Sequence, residues 1–222
     1  MSNTSHSHTN PPLRLGILLS GRGRGTNMAN LVAATRDGRL EAEVVLVVST
    51  TRDAPALERA RALGTPILLI PADEYPDAGA LDRALADAFA RARVDLVCLA
   101  GYMRLLGTEF LNRFPNRVLN IHPALLPRFG GQGLYGHHVH EAVLASGEKV
   151  SGATVHLVDA EYDHGPILLQ EEVPVLPDDT PETLAARVLA AEHRVYPAAI
   201  QRYARRGFHP ERFREDTGGA SR

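Results

Sequence analysis

Two polar residues, Asn120 and His122, stand two positions apart in a segment that is otherwise apolar or rich in proline. The segment 120–127 reads Asn-Ile-His-Pro-Ala-Leu-Leu-Pro and follows a short apolar run that predicts a buried strand. Side chains two positions apart on an extended chain point to the same side. An amide donates hydrogen bonds, and an imidazole exchanges a proton near neutral pH. The pair could therefore bind an oxyanion and move a proton, or be a turn-forming Asn beside a half-buried His.

A carboxylate that could join this pair lies in the acidic turn 159–163, which follows another apolar run and ends at Asp163 before His-Gly-Pro. Beside His122, such a carboxylate would hold the orientation of the ring and raise its pKa, keeping the imidazole protonated. Taken alone, an Asp in this context is more often a turn former. Together with Asn120 and His122 it completes an amide, imidazole and carboxylate set suited to acyl transfer.

A glycine-rich loop separates the first predicted strand from the first predicted helix and contains Gly21, Gly23 and Gly25. Glycines let the backbone approach an oxyanion, and a helix N-terminus supplies free N–H groups. The loop lacks the Gly-Lys-Ser/Thr ending of a Walker A motif, and its spacing does not fit a dinucleotide fingerprint. We expect a phosphate monoester on Gly25, Thr26 and Asn27. The alternative is a tight turn with two solvated arginines.

Composition fits a globular α/β domain. The chain has 222 residues, 44% hydrophobic content and a formal charge of −2, which gives no general attraction to nucleic acid or to anionic membranes. The single cysteine, Cys98, cannot form an internal disulfide, so we expect a cytoplasmic protein. We expect a disordered polar tail at 1–12 in place of a signal peptide, one domain over 13–208, and a loose tail at 209–222.

Strands and helices are predicted to alternate, which favours a single doubly wound, mostly parallel sheet with helices on both faces. Thr108 is expected to cap a short helix, and Thr180 is expected to cap a long last helix with Pro181 at its first position. The predicted strands are 13–20, 44–49, 66–70, 94–100, 118–121, 154–158 and 167–173, and the helices before the last are 28–35, 54–63, 80–91, 108–114 and 138–146.

Six motifs in order make the chain resemble the phosphoribosylglycinamide formyltransferase family, the folate-dependent enzymes of purine synthesis. Each motif is weak alone, but the six in order are specific. They are the loop ending Gly-Thr-Asn at 25–27, Leu-Ala-Gly-Tyr-Met-Arg-Leu-Leu at 99–106, the segment 120–127, Thr-Val-His-Leu-Val at 154–158, Asp-x-Gly-Pro at 163–166 and Glu-His-x-x-Tyr-Pro at 192–197.

The resemblance implies a Rossmann-like formyltransferase fold and a direct transfer of the formyl group from 10-formyltetrahydrofolate to the amine of 5-phosphoribosylglycinamide. It implies Asn120, His122 and Asp163 as the catalytic set, with no metal. Small molecules would be the partners, with no nucleic acid or membrane, and the chain would be a monomer or a homodimer. A formyltetrahydrofolate deformylase or other formyl-folate enzyme, and a non-catalytic nucleotide-phosphate sensor, remain as alternatives.

The same resemblance assigns the binding residues. Gly25, Thr26 and Asn27 would hold the substrate phosphate, and Glu192 the ribose. Folate would contact Met103, Arg104, Leu105 and Leu106, largely through their backbone, together with Asn120 and Asp163. Glu192 also interrupts the inward apolar stripe of the last helix, so it needs a buried partner, which could be a sugar hydroxyl or a group of the protein itself.

Three features depart from the family pattern. The glycine loop is two residues longer than the usual form, and a basic residue often found near the folate tail is absent, with Ala78 at about its place. The loop that precedes His137, His138 and His140 is also a longer variant. These histidines lack the spacing of a metal site, so we expect them to cap a helix or contact the substrate phosphate.

Overall fold

The protein is described by a computed structural model that covers residues 11–21 and 23–214, with the side chains of the last two of these left undescribed. The expected tails at 1–12 and 209–222 therefore fall largely outside the described residues. In chain order the elements are β1 (Leu13–Leu19), α1 (Thr26–Arg36), β2 (Ala42–Ser49), α2 (Pro55–Ala62), β3 (Ile67–Leu69), a 3-10 turn (Ala72–Glu74), α3 (Ala78–Arg91), β4 (Leu96–Leu99), α4 (Thr108–Leu111), β5 (Val118–His122), α5 (His137–Ala145), β6 (Val150–Leu157), β7 (Ile167–Pro174), α6 (Pro181–Arg205) and α7 (Glu211–Arg214).

The strands form a seven-stranded sheet in the order β3-β2-β1-β4-β5-β6-β7. Neighbours from β3 to β5 pair in parallel, whereas β6 runs antiparallel to both β5 and β7. The predicted doubly wound, mostly parallel sheet is confirmed. Chain order reverses between β1 and β4, and ligands of such sheets bind outside the carboxyl ends of the strands at that point.

Two apolar layers cover the two faces of the sheet, because alternate residues of each central strand point to opposite sides. Ile17 of β1 packs into the layer under α1, α2 and α6, and its neighbour Leu18 packs into the layer under α3 and α4. Strands buried on both faces read as continuous apolar runs, which is why β1, β2 and β4 were predictable.

Helix α6 begins as predicted. The side chain of Thr180 accepts a hydrogen bond from the backbone N–H of Thr183, which completes a capping box, and Pro181 follows at the first helical position. A second proline, Pro197, lies inside the helix and has no N–H to donate to the carbonyl of His193. That carbonyl instead accepts a hydrogen bond of 2.8 Å from the Asn30 side chain of α1. The two helices are joined at this point.

Several predicted boundaries need correction. Thr108 is not a cap: α4 begins at Thr108 after Gly107, has no side-chain cap and ends at Leu111, short of the predicted 114. The backbone N–H of Gly107 is held by the carboxylate of Asp82 at 2.7 Å, a tertiary contact that sequence patterns do not reveal. Strand β6 starts at Val150, four residues early, because 150–153 pair with β7. The described part of the segment 209–222 contains a short helix, α7, and the rest of that segment lies outside the described residues, so the expected tail stays a prediction.

Candidate active site

Strand β5 ends at a cavity of about 530 Å³, the size of a typical small-molecule site, at the carboxyl ends of the central strands. Asn120 and His122 both face it from β5, as their spacing predicts. Most residues assigned from the sequence line this cavity together: Asn27, Met103, Arg104, Leu105, Leu106, Asn120, His122, Asp163 and Glu192. Gly25 and Thr26 are not part of its lining.

His122 is buried and is held from both ring nitrogens. Its Nε2 lies 2.7 Å from the carbonyl oxygen of Phe129, so this nitrogen carries the hydrogen and donates it. Its Nδ1 lies 3.4 Å from Oδ2 of Asp163. Burial lowers the pKa of His122 below its ordinary value, although the charge of Asp163 and the Phe129 carbonyl both act to raise it. The expectation that Asp163 keeps this imidazole protonated is therefore wrong, because desolvation outweighs the carboxylate.

Asp163 sits in the left-handed region of the backbone, with φ 53°, at the end of the acidic turn. Its Oδ2 accepts a hydrogen bond of 3.0 Å from the backbone N–H of Gly131, and its Oδ1 accepts one of 3.3 Å from the amide of Asn120. Burial alone would raise the pKa of Asp163, but hydrogen bonding and the neighbouring histidines hold it below its ordinary value. Asp163 therefore both shapes the turn and supplies the carboxylate beside His122.

Asn120 has a second contact that the sequence assignments missed. Its Nδ2 lies 3.1 Å from Nε2 of His156, a fully buried residue of β6 that also lines the cavity. His156 stands directly opposite Asn120 in the antiparallel pairing of β5 with β6. The motif 154–158 contains this histidine, but only the strand register reveals that it meets Asn120.

Gly25 and Asn27 begin α1 near Glu192 of α6. Gly25 is the N-cap residue with φ 67°, and an added Cβ would lie 2.7 Å from Cβ of Ala56, so glycine is required there. The Asn27 side chain donates a hydrogen bond of 2.6 Å to Oε2 of Glu192. Of the two partners considered for Glu192, a protein amide is the one present. Burial raises the pKa of Glu192 to about 7, against the effect of this hydrogen bond.

The segment 103–106 lines the cavity and is held by a hydrogen bond at each end. The backbone N–H of Met103 donates to Oγ of Ser20 at 2.9 Å, and the N–H of Gly107 is held by Asp82. Met103 and Leu105 expose apolar side chains, with relative exposures of 43% and 38%. Within the described part of the chain, the backbone groups of 104–106 make no hydrogen bond. They are available to a ligand.

The glycine-rich loop 131–136 also lines the cavity, which the sequence did not predict. The histidines that follow it do not line the cavity. Helix α5 has no side-chain cap, so the expectation that these histidines cap it is wrong. His137 and His138 face Glu141, and His140 is buried with its pKa lowered to about 4, chiefly by burial.

Among residues 11–21 and 23–214, no group of three or more His, Cys, Asp or Glu side chains could hold a metal ion.

A profile described as Formyl transferase matches residues 14–200, most of the chain. The chain belongs to the formyl transferase family. The chain is 46% identical over 191 residues to the chloroplastic phosphoribosylglycinamide formyltransferase of Arabidopsis thaliana, covering 86% of this chain and 65% of that protein. It is 35% identical over 188 residues to the phosphoribosylglycinamide formyltransferase of Haemophilus influenzae, covering 85% of each. The resemblance drawn from the six motifs is confirmed.

A solved structure shares the fold of this formyl transferase. The crystal structure of glycinamide ribonucleotide transformylase 1 from Symbiobacterium toebii superposes with a TM-score of 0.83 at 45% identity, covering 92% of this chain and 93% of that chain. The chain spans less than two thirds of two plant relatives, 65% of the Arabidopsis protein and 60% of the one from Vigna unguiculata. No helix among the described residues is long and apolar enough to cross a membrane.

Proposed function

We propose that this formyl transferase moves the formyl group of 10-formyltetrahydrofolate directly to the amine of 5-phosphoribosylglycinamide, a step of de novo purine synthesis. The observation that carries the proposal is the convergence of Asn120, His122 and Asp163 in one cavity. The segment 103–106 lies on that cavity, as do Asn27 and Glu192. The names of the relatives agree with this reaction.

The folate co-substrate fits the segment Met103–Leu106. A pterin ring is flat, with apolar faces and an edge of hydrogen-bond donors and acceptors. The exposed side chains of Met103 and Leu105 suit the faces, and the unbonded backbone groups of 104–106 suit the edge. Neither contact requires a particular charge, so recognition through the backbone is the role we assign to this segment. Asn120 and Asp163 complete the co-substrate contacts beside the formyl group.

The ribonucleotide fits the part of the cavity that Asn27 and Glu192 line. We assign its phosphate to the backbone N–H groups of Gly25, Thr26 and Asn27 at the start of α1, where the helix dipole favours an anion. We assign its ribose to Glu192, whose buried carboxylate accepts, among the described residues, a hydrogen bond from the Asn27 amide alone. Hydroxyl groups would supply the further donors that a buried acid requires.

Three residues of the chain carry the transfer. The attacking amine forms a bond to the formyl carbon as the carbonyl oxygen gains negative charge, and Asn120 donates an N–H to that oxygen. His122, uncharged at rest, accepts the amine proton at Nδ1, because Nε2 is engaged by Phe129. Asp163 lies 3.4 Å from Nδ1 and stabilises the imidazolium that forms. Return of this proton to N10 as the carbon–nitrogen bond breaks restores His122.

The amine dependence of formyl-folate consumption tests the reaction. We expect consumption only when glycinamide ribonucleotide is present, with the formylated amine as product; consumption in its absence would identify a deformylase, and no consumption would leave a sensor. His122→Ala should lower kcat by roughly 10²–10⁴-fold. Asn120→Leu should raise the barrier by about 3 kcal/mol. His164→Ala, at an exposed position directly after Asp163, is the matched control.

The proposal also covers the partners of the protein, its cellular location and its state of assembly. The substrates are small molecules, and neither nucleic acid nor a metal takes part. We propose a cytoplasmic protein, on the basis of its single buried cysteine, Cys98, and a monomer or homodimer as its state of assembly.

A further inference from the structure

His156 is a buried titratable residue in the cavity that the proposed mechanism leaves without a role. Only 1% of its surface is exposed, and it lies on β6 directly opposite Asn120 of β5. Its Nδ1 is 2.8 Å from the backbone carbonyl of Leu157. A carbonyl oxygen can only accept, so Nδ1 carries a hydrogen. In the uncharged ring, Nε2 then has a lone pair and no hydrogen.

That nitrogen faces the amide of Asn120 at 3.1 Å and lies farther, at 3.5 Å, from Oδ1 of Asp163. The contact is a hydrogen bond only if Asn120 turns its NH₂ group, and not its carbonyl oxygen, toward His156. One amide hydrogen is thereby committed to His156. The other lies toward Oδ1 of Asp163 at 3.3 Å, a long contact that leaves this hydrogen free to be shared. The histidine therefore determines which end of the carboxamide faces the reacting groups.

The orientation matters because the two ends of a carboxamide have similar shapes and opposite polarity. Rotated by half a turn, Asn120 would present its oxygen where the mechanism needs an N–H, and an oxygen repels a developing oxyanion. Asp163 opposes that rotation only weakly, through its long contact. His156 opposes it through a hydrogen bond of ordinary length that is anchored in turn by the backbone of its own strand.

We propose that His156 is a positioning residue that holds the carboxamide of Asn120 with an N–H toward the formyl oxygen. It acts through Asn120 and touches neither substrate in this role. The proposal rests on the proposed formyl transfer, in which Asn120 stabilises the oxyanion, and adds a residue that the motifs did not assign to the site.

A double-mutant cycle tests the proposal. His156→Leu should lower kcat for formyl transfer by roughly 10–10²-fold, less than the 10²–10³-fold typical of losing an oxyanion donor outright. The KM of both substrates should change by less than about threefold, because the interaction is made in the transition state. His156→Gln, whose amide oxygen can accept from Asn120, should recover most of kcat. In the Asn120→Ala background, His156→Leu should cost nothing further.

His164→Leu, on the exposed turn after Asp163, is the matched control and should keep wild-type kcat. An equal loss from His156→Leu in the wild-type and Asn120→Ala backgrounds would overturn the proposal, as would a loss confined to KM. Failure of the proposed function is a separate outcome, in which the wild-type protein forms no formylated amine.

A spectroscopic measurement on the wild-type protein keeps the proposal falsifiable if the leucine variant does not fold. In ¹⁵N-histidine NMR at neutral pH, His156 should show a protonated Nδ1 and an unprotonated Nε2. A hydrogen on Nε2, directed at Oδ1 of Asp163 or at a reversed carboxamide, would remove the acceptor for the Asn120 N–H and would overturn the proposal.

Discussion

Replacing the buried carboxylate Glu192 by an uncharged side chain should stabilise the protein above neutral pH. Burial raises the pKa of this group from 4.5 to about 7, whereas the unfolded chain ionises near 4.5. Between these values the folded state binds a proton that the unfolded state releases. The free energy of unfolding therefore falls as the pH rises through this window. Glu192→Gln removes the titration and keeps an oxygen that accepts from Asn27.

The size of the effect follows from the two pKa values. A pKa that moves from 4.5 to about 7 corresponds to about 3 kcal/mol of unfolding free energy. The variant should exceed the wild type by about this amount at pH 8, and by less than about 1 kcal/mol at pH 5. For a chain of this length the gain at pH 8 corresponds to a rise in Tm of roughly 6–12 °C.

Urea denaturation at the two pH values measures the difference, and Glu172→Gln, at an exposed position on β7, is the control. An identical gain at both pH values, or none at pH 8, would refute the assignment of a raised pKa to Glu192. The same variant should bind glycinamide ribonucleotide more weakly, because the proposed ribose contact loses its charge. A gain in stability with a higher KM for that substrate alone is the expected combination.

Three further predictions concern Asp163, Asp82 and Thr180. Asp163→Asn keeps the turn but removes the charge that raises the pKa of His122, so this pKa should fall further. We expect kcat to drop roughly 10²-fold and the acidic limb of the pH–kcat/KM profile to move to lower pH. An unmoved limb with intact kcat would make Asp163 a turn residue only. Asp82→Ala leaves the N–H of Gly107 without its acceptor and should lower the free energy of unfolding by about 1–3 kcal/mol. It should also raise the KM of the formyl donor while the KM of the amine substrate is unchanged. Equal increases in both KM values would argue against a local effect. Thr180→Ala removes the cap of α6 and should lower the free energy of unfolding by about 1 kcal/mol in urea titrations, and no measurable change would show that the cap contributes nothing.

The sheet was predictable because its central strands are buried on both faces and are separated by helices with clear apolar spacing. The placement of the proposed catalytic set in one cavity was predictable for a related reason. Asn120 and His122 are adjacent along one strand, and their geometry is a property of local sequence. Asp163 came from a motif whose order along the chain matches a known family.

The interactions that sequence reasoning missed are those set by tertiary contact. His156 meets Asn120 through the register of two antiparallel strands, and the N–H of Gly107 before α4 is held by Asp82, which lies 25 residues earlier in the chain. The protonation of His122 depends on how completely it is buried, and the spacing of residues carries no measure of burial. The sign of its pKa shift was wrong for that reason.

The proline inside α6 breaks one hydrogen bond of that helix, and the carbonyl left over connects α6 to α1. Pro197 leaves the carbonyl of His193 without an intrahelical donor, and Asn30 of α1 occupies it. Protein engineers often replace helix prolines with alanine, since proline is less favourable than alanine in a helix interior by about 3 kcal/mol. Here the repaired helix would reclaim its own carbonyl from Asn30, and of the two hydrogen bonds described between α1 and α6 the one from Asn27 to Glu192 would remain. The proposed phosphate site lies on α1 and the proposed ribose site on α6, so the distance between the two sites would be held less firmly. A more regular α6 would then fit the substrate less accurately.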